Sequence, residues 1–367
     1  MDNDMSRLLK ALTRILCVMA LIAAGLAAIT TSADAAIPNR WGFAHVNVLS
    51  GIPDPAHQAG SWPAGFNVTV TSGGVGQYFV RFPQIGVPLG GVAHVTAISQ
   101  ANIWCQVQRL GTALPDEIVV VQCYRYGGVP VATPFSIVFE ESSGVAPVSQ
   151  ALGYVHWNGS AIGTTFNSSG AVNTVMPTGT GIWTVTLPGI GSAGLAGGIQ
   201  VTASDASLPA RCKVSAWAPI AAAQRIQVRC HNATNVPLNT GWYLTYQFRR
   251  ALTGGVAPPQ YFGYTFDNTP ANPGPYVPAP PAINFNSVGS FNEIQSAAVG
   301  QRLVTFHLIG VLPDNVQVTA FGPGPEFCNL VSIWNTSGME ARVRNVACYN
   351  AGTRLDYASM VSYNSAV

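Results

Sequence analysis

In Arg225-Ile226-Gln227-Val228-Arg229-Cys230 polar and apolar side chains alternate, with Arg225, Gln227 and Arg229 on one side and Ile226, Val228 and Cys230 on the other. A period of two belongs to a β-strand with one buried face, because successive side chains leave opposite faces of a sheet. No stretch sustains the 3.6-residue stripe of an amphipathic helix. Short strand-like runs follow one another instead, broken by Gly, Pro or Asn, which is how a two-layer β-sandwich is written in sequence.

These runs recur. Gly42-Phe43-Ala44-His45-Val46-Asn47 is matched by Gly153-Tyr154-Val155-His156-Trp157-Asn158 and Gly263-Tyr264-Thr265-Phe266-Asp267-Asn268. Gly76-Gln77-Tyr78 opens a run matched at Gly181-Ile182-Trp183 and Gly300-Gln301-Arg302, and Val95-Thr96-Ala97 returns as Val201-Thr202-Ala203 and Val318-Thr319-Ala320. Gly-Val-Ala-Pro stands at 144–147 and again at 255–258, where proline interrupts any continuing element. The expectation is therefore an all-β chain of three tandem Ig-like β-sandwich domains, at 36–147, 148–258 and 259–367. The proline-rich stretch 270–281 reads as a surface loop within the third.

One apolar run breaks the pattern. Residues 15–29 follow Arg7, Lys10 and Arg14 and precede Ala33-Asp34-Ala35, the order of a secretory signal peptide, so residues 1–35 are read as removed after Ala35. An uncleaved N-terminal anchor is the alternative. About 15 apolar residues are short for a membrane span, which needs roughly 20, and no second such run follows. Localisation outside the cytoplasm, either secreted or in the periplasm or cell envelope, is the consequence.

That compartment gives the cysteines their meaning. Beyond residue 35 they occur in pairs, Cys105 with Cys123, Cys212 with Cys230, and Cys328 with Cys348. Exported paired cysteines should form disulfides, and recurrence selects pairing within each repeat. Each pair brackets a turn, at 111–115, 218–223 and 335–338, so the partners would face each other on adjacent antiparallel strands. The spacing, without Cys-x-x-Cys or neighbouring histidines, argues against zinc. The third pair is two residues wider, and strict alternation would turn Arg344 inward. A β-bulge between Val343 and Val346 is expected to return Arg344 to solvent and point Val343 to the core, the alternative being a regular strand with Arg344 buried against Glu340 or Asp356.

Composition then narrows the function classes. Charged residues make up 9% of the chain, hydrophobic residues 48%, and the net charge is +2, so neither nucleic acid nor an anionic surface is indicated as partner. No Gly-x-Ser-x-Gly, His-Glu-x-x-His or phosphate loop is present, and no cofactor is expected. His45 and His156 match Phe266 in the third repeat, an exchange that favours packing over catalysis. The acidic pairs Asp116-Glu117 and Glu140-Glu141 are read as solvated charge. Trp217 and Trp334 follow the first cysteine of their repeats by five and six residues, with Leu110 nearby in the first. They are the ligand-binding candidates, as sugar-stacking platforms, set against a packing role across the hairpin.

The opening Gly153-Tyr154 strand, the Phe166-Asn167-Ser168 turn, Gly181-Ile182-Trp183, the strand 316–320 and the hairpin marked by Cys212, Val214, Trp217, Val228 and Cys230 together resemble uncharacterised secreted tandem-repeat β-domain proteins of GC-rich bacteria. The resemblance covers all three repeats and is weakest in the first. It implies a fold and no catalytic residues. The resulting expectation is a non-enzymatic tandem β-domain protein acting in binding or as a spacer, with an extracellular ligand such as a glycan or cell-wall component. A carbohydrate-binding module array is the alternative, and a secreted hydrolase a remote one.

Overall fold

A computed structural model describes residues 39–88, 90–142, 149–253 and 260–367. The signal-peptide reading and both Gly-Val-Ala-Pro junctions lie outside the described residues. Within them the chain is nearly all β, with two single-turn 3-10 helices, Pro55–His57 and Pro281–Ile283. No helix among the described residues is long and apolar enough to cross a membrane.

One strand order occurs three times. In 39–142 one sheet runs Gln58–Gly60, Arg40–Val46, Phe135–Glu141, Val92–Ala97, and another runs Thr69–Ser72, Gln77–Phe82, Asp116–Arg125, Ile103–Ala113. The second stretch repeats this with Ile162–Asn167, Ala151–Trp157, Gly241–Phe248, Gly198–Ser204 and with Thr174–Gly179, Ile182–Pro188, Ala223–Asn232, Ala210–Ile220. The third uses Asn284–Asn286, Phe262–Asp267, Ser359–Ser365, Asp314–Ala320 and then Asn292–Ala298, Gln301–Phe306, Glu340–Asn350, Phe327–Leu330. The alternation read at residues 225–230 holds: Ile226, Val228 and Cys230 are fully buried, while Arg225 is exposed.

The disulfides join Cys105 to Cys123, Cys212 to Cys230 and Cys328 to Cys348, and each pair is directly opposed across its ladder. Their Cα atoms stand 4.0, 4.1 and 4.0 Å apart. Closing a loop of this size contributes about 3 kcal/mol by restricting the unfolded chain. The third hairpin carries the expected bulge. Val346 pairs with Arg302 and Val343 with Val304, so Arg344 and Asn345 together oppose Leu303, and Asn345 takes a φ of 62°. Val343 and Val346 are buried and Arg344 is exposed. One of the two extra residues is this bulge, and the other is taken up where Phe327–Leu330 gives way to a separate strand, Asn335–Ser337.

The apolar clusters are not self-contained. The first takes in Tyr154 and Tyr243 from the second stretch, the second takes in Phe266, Ile283 and Met360 from the third, and the third takes in Ile98 from the first. The borrowing runs in a closed cycle. Short parallel bridges follow the same cycle, Val107 to Ser204, Val214 to Phe321 and Leu330 to Ile98. A backbone hydrogen bond seals each: Asp205 N donates to Val107 O at 3.0 Å, Gly322 N to Val214 O at 2.9 Å and Ser99 N to Leu330 O at 2.6 Å.

Candidate functional site: a cationic pocket where three strands meet

Val92–Ala97, Gly198–Ser204 and Asp314–Ala320 each turn one face toward an apolar cluster and the other toward the same two strands of the neighbouring stretches. The inner face carries His94 and Thr96, Gln200 and Thr202, and Gln317 and Thr319, all of them buried. Burial of polar groups is tolerated only when they are hydrogen-bonded. Here each threonine hydroxyl accepts from a neighbour's backbone: Thr202 from Val95 N at 3.3 Å, Thr319 from Val201 N at 2.9 Å, and Thr96 from Val318 N at 2.9 Å. It then donates to the same neighbour's long side chain. Thr319 donates to Gln200 Oε1 at 2.8 Å and Thr96 to Gln317 Oε1 at 2.9 Å. Thr202 stands 3.2 Å from His94 Nδ1.

The matching roles fix the His94 tautomer: Nδ1 accepts as the glutamine oxygens do, and Nε2–H donates to Thr245 Oγ1 at 2.8 Å. Gln200 Nε2 likewise donates to Ser362 Oγ at 3.1 Å, and Gln317 Nε2 to Ser136 Oγ at 3.2 Å. Burial lowers the pKa of His94 to about 3 and keeps it neutral.

Next to this network lies a pocket of about 50 Å³, lined by the three Val-Thr-Ala runs and by Cys105, Cys212 and Cys328. The residue before each of these cysteines also lines it, and here the chemistry differs between copies: Trp104, Arg211 and Phe327. The Arg211 guanidinium is held between two rings, 4.7 Å from the centre of Trp104 and 4.6 Å from that of Phe327. Its Nη2 donates to Asn232 O at 3.0 Å and Asn235 Oδ1 at 2.5 Å, whereas Nε and Nη1 are buried without an acceptor. Burial lowers its pKa to about 10.

The residue after each cysteine reaches across to the next stretch. Gln106 Nε2 donates to Asp205 O and Leu208 O at 2.8 and 2.9 Å, and Asn329 Nδ2 to Ala101 O and Ile103 O at 2.9 and 3.0 Å. In the same place Lys213 Nζ meets Glu326 Oε2 at 3.2 Å and Tyr357 OH at 3.0 Å. Burial lowers the Lys213 pKa to about 8 in spite of Glu326. Burial and the nearby Lys213, Arg211 and Arg229 charges lower that of His231 to about 4. Arg229 donates from Nη1 to Pro323 O, and its Nε has no partner. Two cations, Arg211 and Lys213, thus line the pocket with one carboxylate, Glu326.

The tryptophans proposed as platforms sit elsewhere. Trp217 is 7% and Trp334 1% exposed, so neither offers an open ring face. Trp217 Nε1 donates to Gln224 Oε1 at 2.9 Å. Trp334 Nε1 donates to Asp314 Oδ1 at 2.8 Å, beside His57 Nδ1 at 2.5 Å from the same oxygen, while Tyr363 OH donates to Oδ2 at 2.9 Å. His45, whose ring centre lies 6.2 Å from that of Trp334, and His156, stacked on Tyr243 at 4.4 Å, are packed as expected from the exchange with Phe266.

The acidic pairs require correction. Asp116, Glu117 and Glu140 are buried, and Glu141 is half-buried. Asp116 pairs with Arg81 and accepts from Gln84 N at 2.8 Å. Burial raises the pKa of Glu117 to about 7 and that of Glu140 to about 8. Adjacent charges at a turn or strand end suggest solvent, but strands and side chains from elsewhere cover these.

Sequence reasoning passed over Arg211, Glu326, His231 and the three threonines. The signal available was the thrice-repeated Val-Thr-Ala and the fact that Lys213 is the only lysine after residue 35. Against family models, curated proteins and solved structures the chain has no match.

Proposed function

We propose that this is a non-enzymatic protein of the cell exterior or envelope, whose three tandem Ig-like domains at 36–147, 148–258 and 259–367 close into one ring and serve as a binding body or spacer. The observation that carries the reading is the closed cycle of Thr96, Thr202 and Thr319. Among the described residues, buried polar side chains from all three stretches bond across this centre, and the disulfides suit an oxidising compartment. A ring of this kind presents its outward sheets at fixed spacing to an extracellular ligand, with a glycan or cell-wall component as the partner class.

The test is co-sedimentation of the purified chain with peptidoglycan and insoluble polysaccharides, with soluble products assayed in the same tubes. Retention without released fragments is expected. Release of reducing ends or muropeptides would overturn the non-enzymatic reading, and no retention on any of these polymers would overturn the cell-wall and glycan partner class.

A further inference from the structure

The pocket at the meeting point has more buried positive charge than the described residues compensate. Of the two cations that line it, Arg211 and Lys213, only Lys213 has a carboxylate, at 3.2 Å. Glu326 is itself engaged on its other oxygen, where Asn350 Nδ2 donates at 3.2 Å. Arg211 is 6% exposed and leaves three N–H bonds, one on Nε and two on Nη1, without an acceptor. An unpaired buried guanidinium is costly, because the lost hydration is not replaced. The rings of Trp104 and Phe327 cover its faces but cannot accept the hydrogen bonds at its edge.

We propose that this pocket binds a small inorganic monovalent anion, such as a halide or nitrate, between Arg211 and Lys213. Its volume of about 50 Å³ exceeds the roughly 10–15 Å³ needed for one water and falls far below that of a pocket for a sugar or nucleotide. The anion would be contributed to by all three stretches at once, since the lining includes matched residues from each. It acts as a fourth tie at the centre, supplying in the asymmetric position the negative charge that Trp104 and Phe327 do not need. The proposal does not depend on the ligand of the outer surface.

Bromide is the probe. Thermal unfolding of the full chain is followed in sodium bromide, chloride and nitrate against gluconate at matched ionic strength, and crystals grown in bromide are examined for anomalous scattering. A saturable rise in Tm of at least about 2 °C is expected with the small anions, lost in a folded Arg211→Gln variant, together with a bromide peak between Arg211 and Lys213. Equal unfolding in all salts, a shift that survives in Arg211→Gln, or a pocket without a bromide peak would each overturn it. If Arg211→Gln does not fold, the bromide peak in the unaltered chain decides.

Discussion

The two faces of Val92–Ala97 meet different kinds of interior. Ala93, Val95 and Ala97 join an apolar cluster with Phe82, Val119 and Phe139, while His94 and Thr96 face strands of the other two stretches across a hydrogen-bonded centre. Inside the sandwich, attraction is non-directional and scales with the area removed from water. At the centre each group has a named partner, and the same partner types recur around the cycle. The apolar interior therefore holds a stretch together, and the polar centre decides which strands meet and in what register.

Mutation should separate the two. Phe139 is fully buried and stacks on Phe82 at 6.2 Å, so Phe139→Ala should cost about 3–5 kcal/mol in denaturant unfolding. At the centre, cost should follow bonds and not volume. Thr319→Val keeps the shape but removes the acceptor of Val201 N and the donor to Gln200 Oε1, for an expected loss of about 1–3 kcal/mol, and Thr319→Ser should recover most of it. If Thr319→Val proved neutral and Thr319→Ser destabilising, packing and not hydrogen bonding would govern the centre.

A pH slope separates the two by charge. His94 stays neutral in the folded chain, with its pKa lowered to about 3, whereas the unfolded residue takes up a proton below about 6.5. The unfolded state then binds more protons, and stability falls as pH drops from about 6.5 toward 3, by about 1.4 kcal/mol per unit from this residue. Gln200 and Gln317 occupy the matching positions. His94→Gln should preserve both hydrogen bonds and flatten the acid limb by that amount, as measured by unfolding between pH 4 and 7. An unchanged slope would mean that His94 titrates alike in both states.

The same contrast explains what could be seen in the sequence. Strands such as 225–230, the three disulfide pairs and the bulge at Arg344 follow from local alternation, turn position and cysteine spacing, and each is present in the structure. The centre was hidden by that very rule. A polar residue at every second position ordinarily faces water, and nothing within one copy of Val-Thr-Ala indicates that Thr96, Thr202 and Thr319 are covered by one another. The burial of Glu117 and Glu140 is hidden for the same reason, since it is supplied by residues distant in sequence. Arg211 was hidden because it is an exception, charged where Trp104 and Phe327 are aromatic.

If this cycle holds the three stretches, the chain running between them is dispensable once the protein has folded. Protease sites placed within 143–148 and 254–259 allow the folded, oxidised protein to be cut between stretches, and native size-exclusion chromatography then reads the outcome. Three fragments should elute together at the size of the uncut protein, and separate when Thr96, Thr202 and Thr319 are all replaced by valine; fragments that separate without those substitutions would show that the cycle does not hold the stretches.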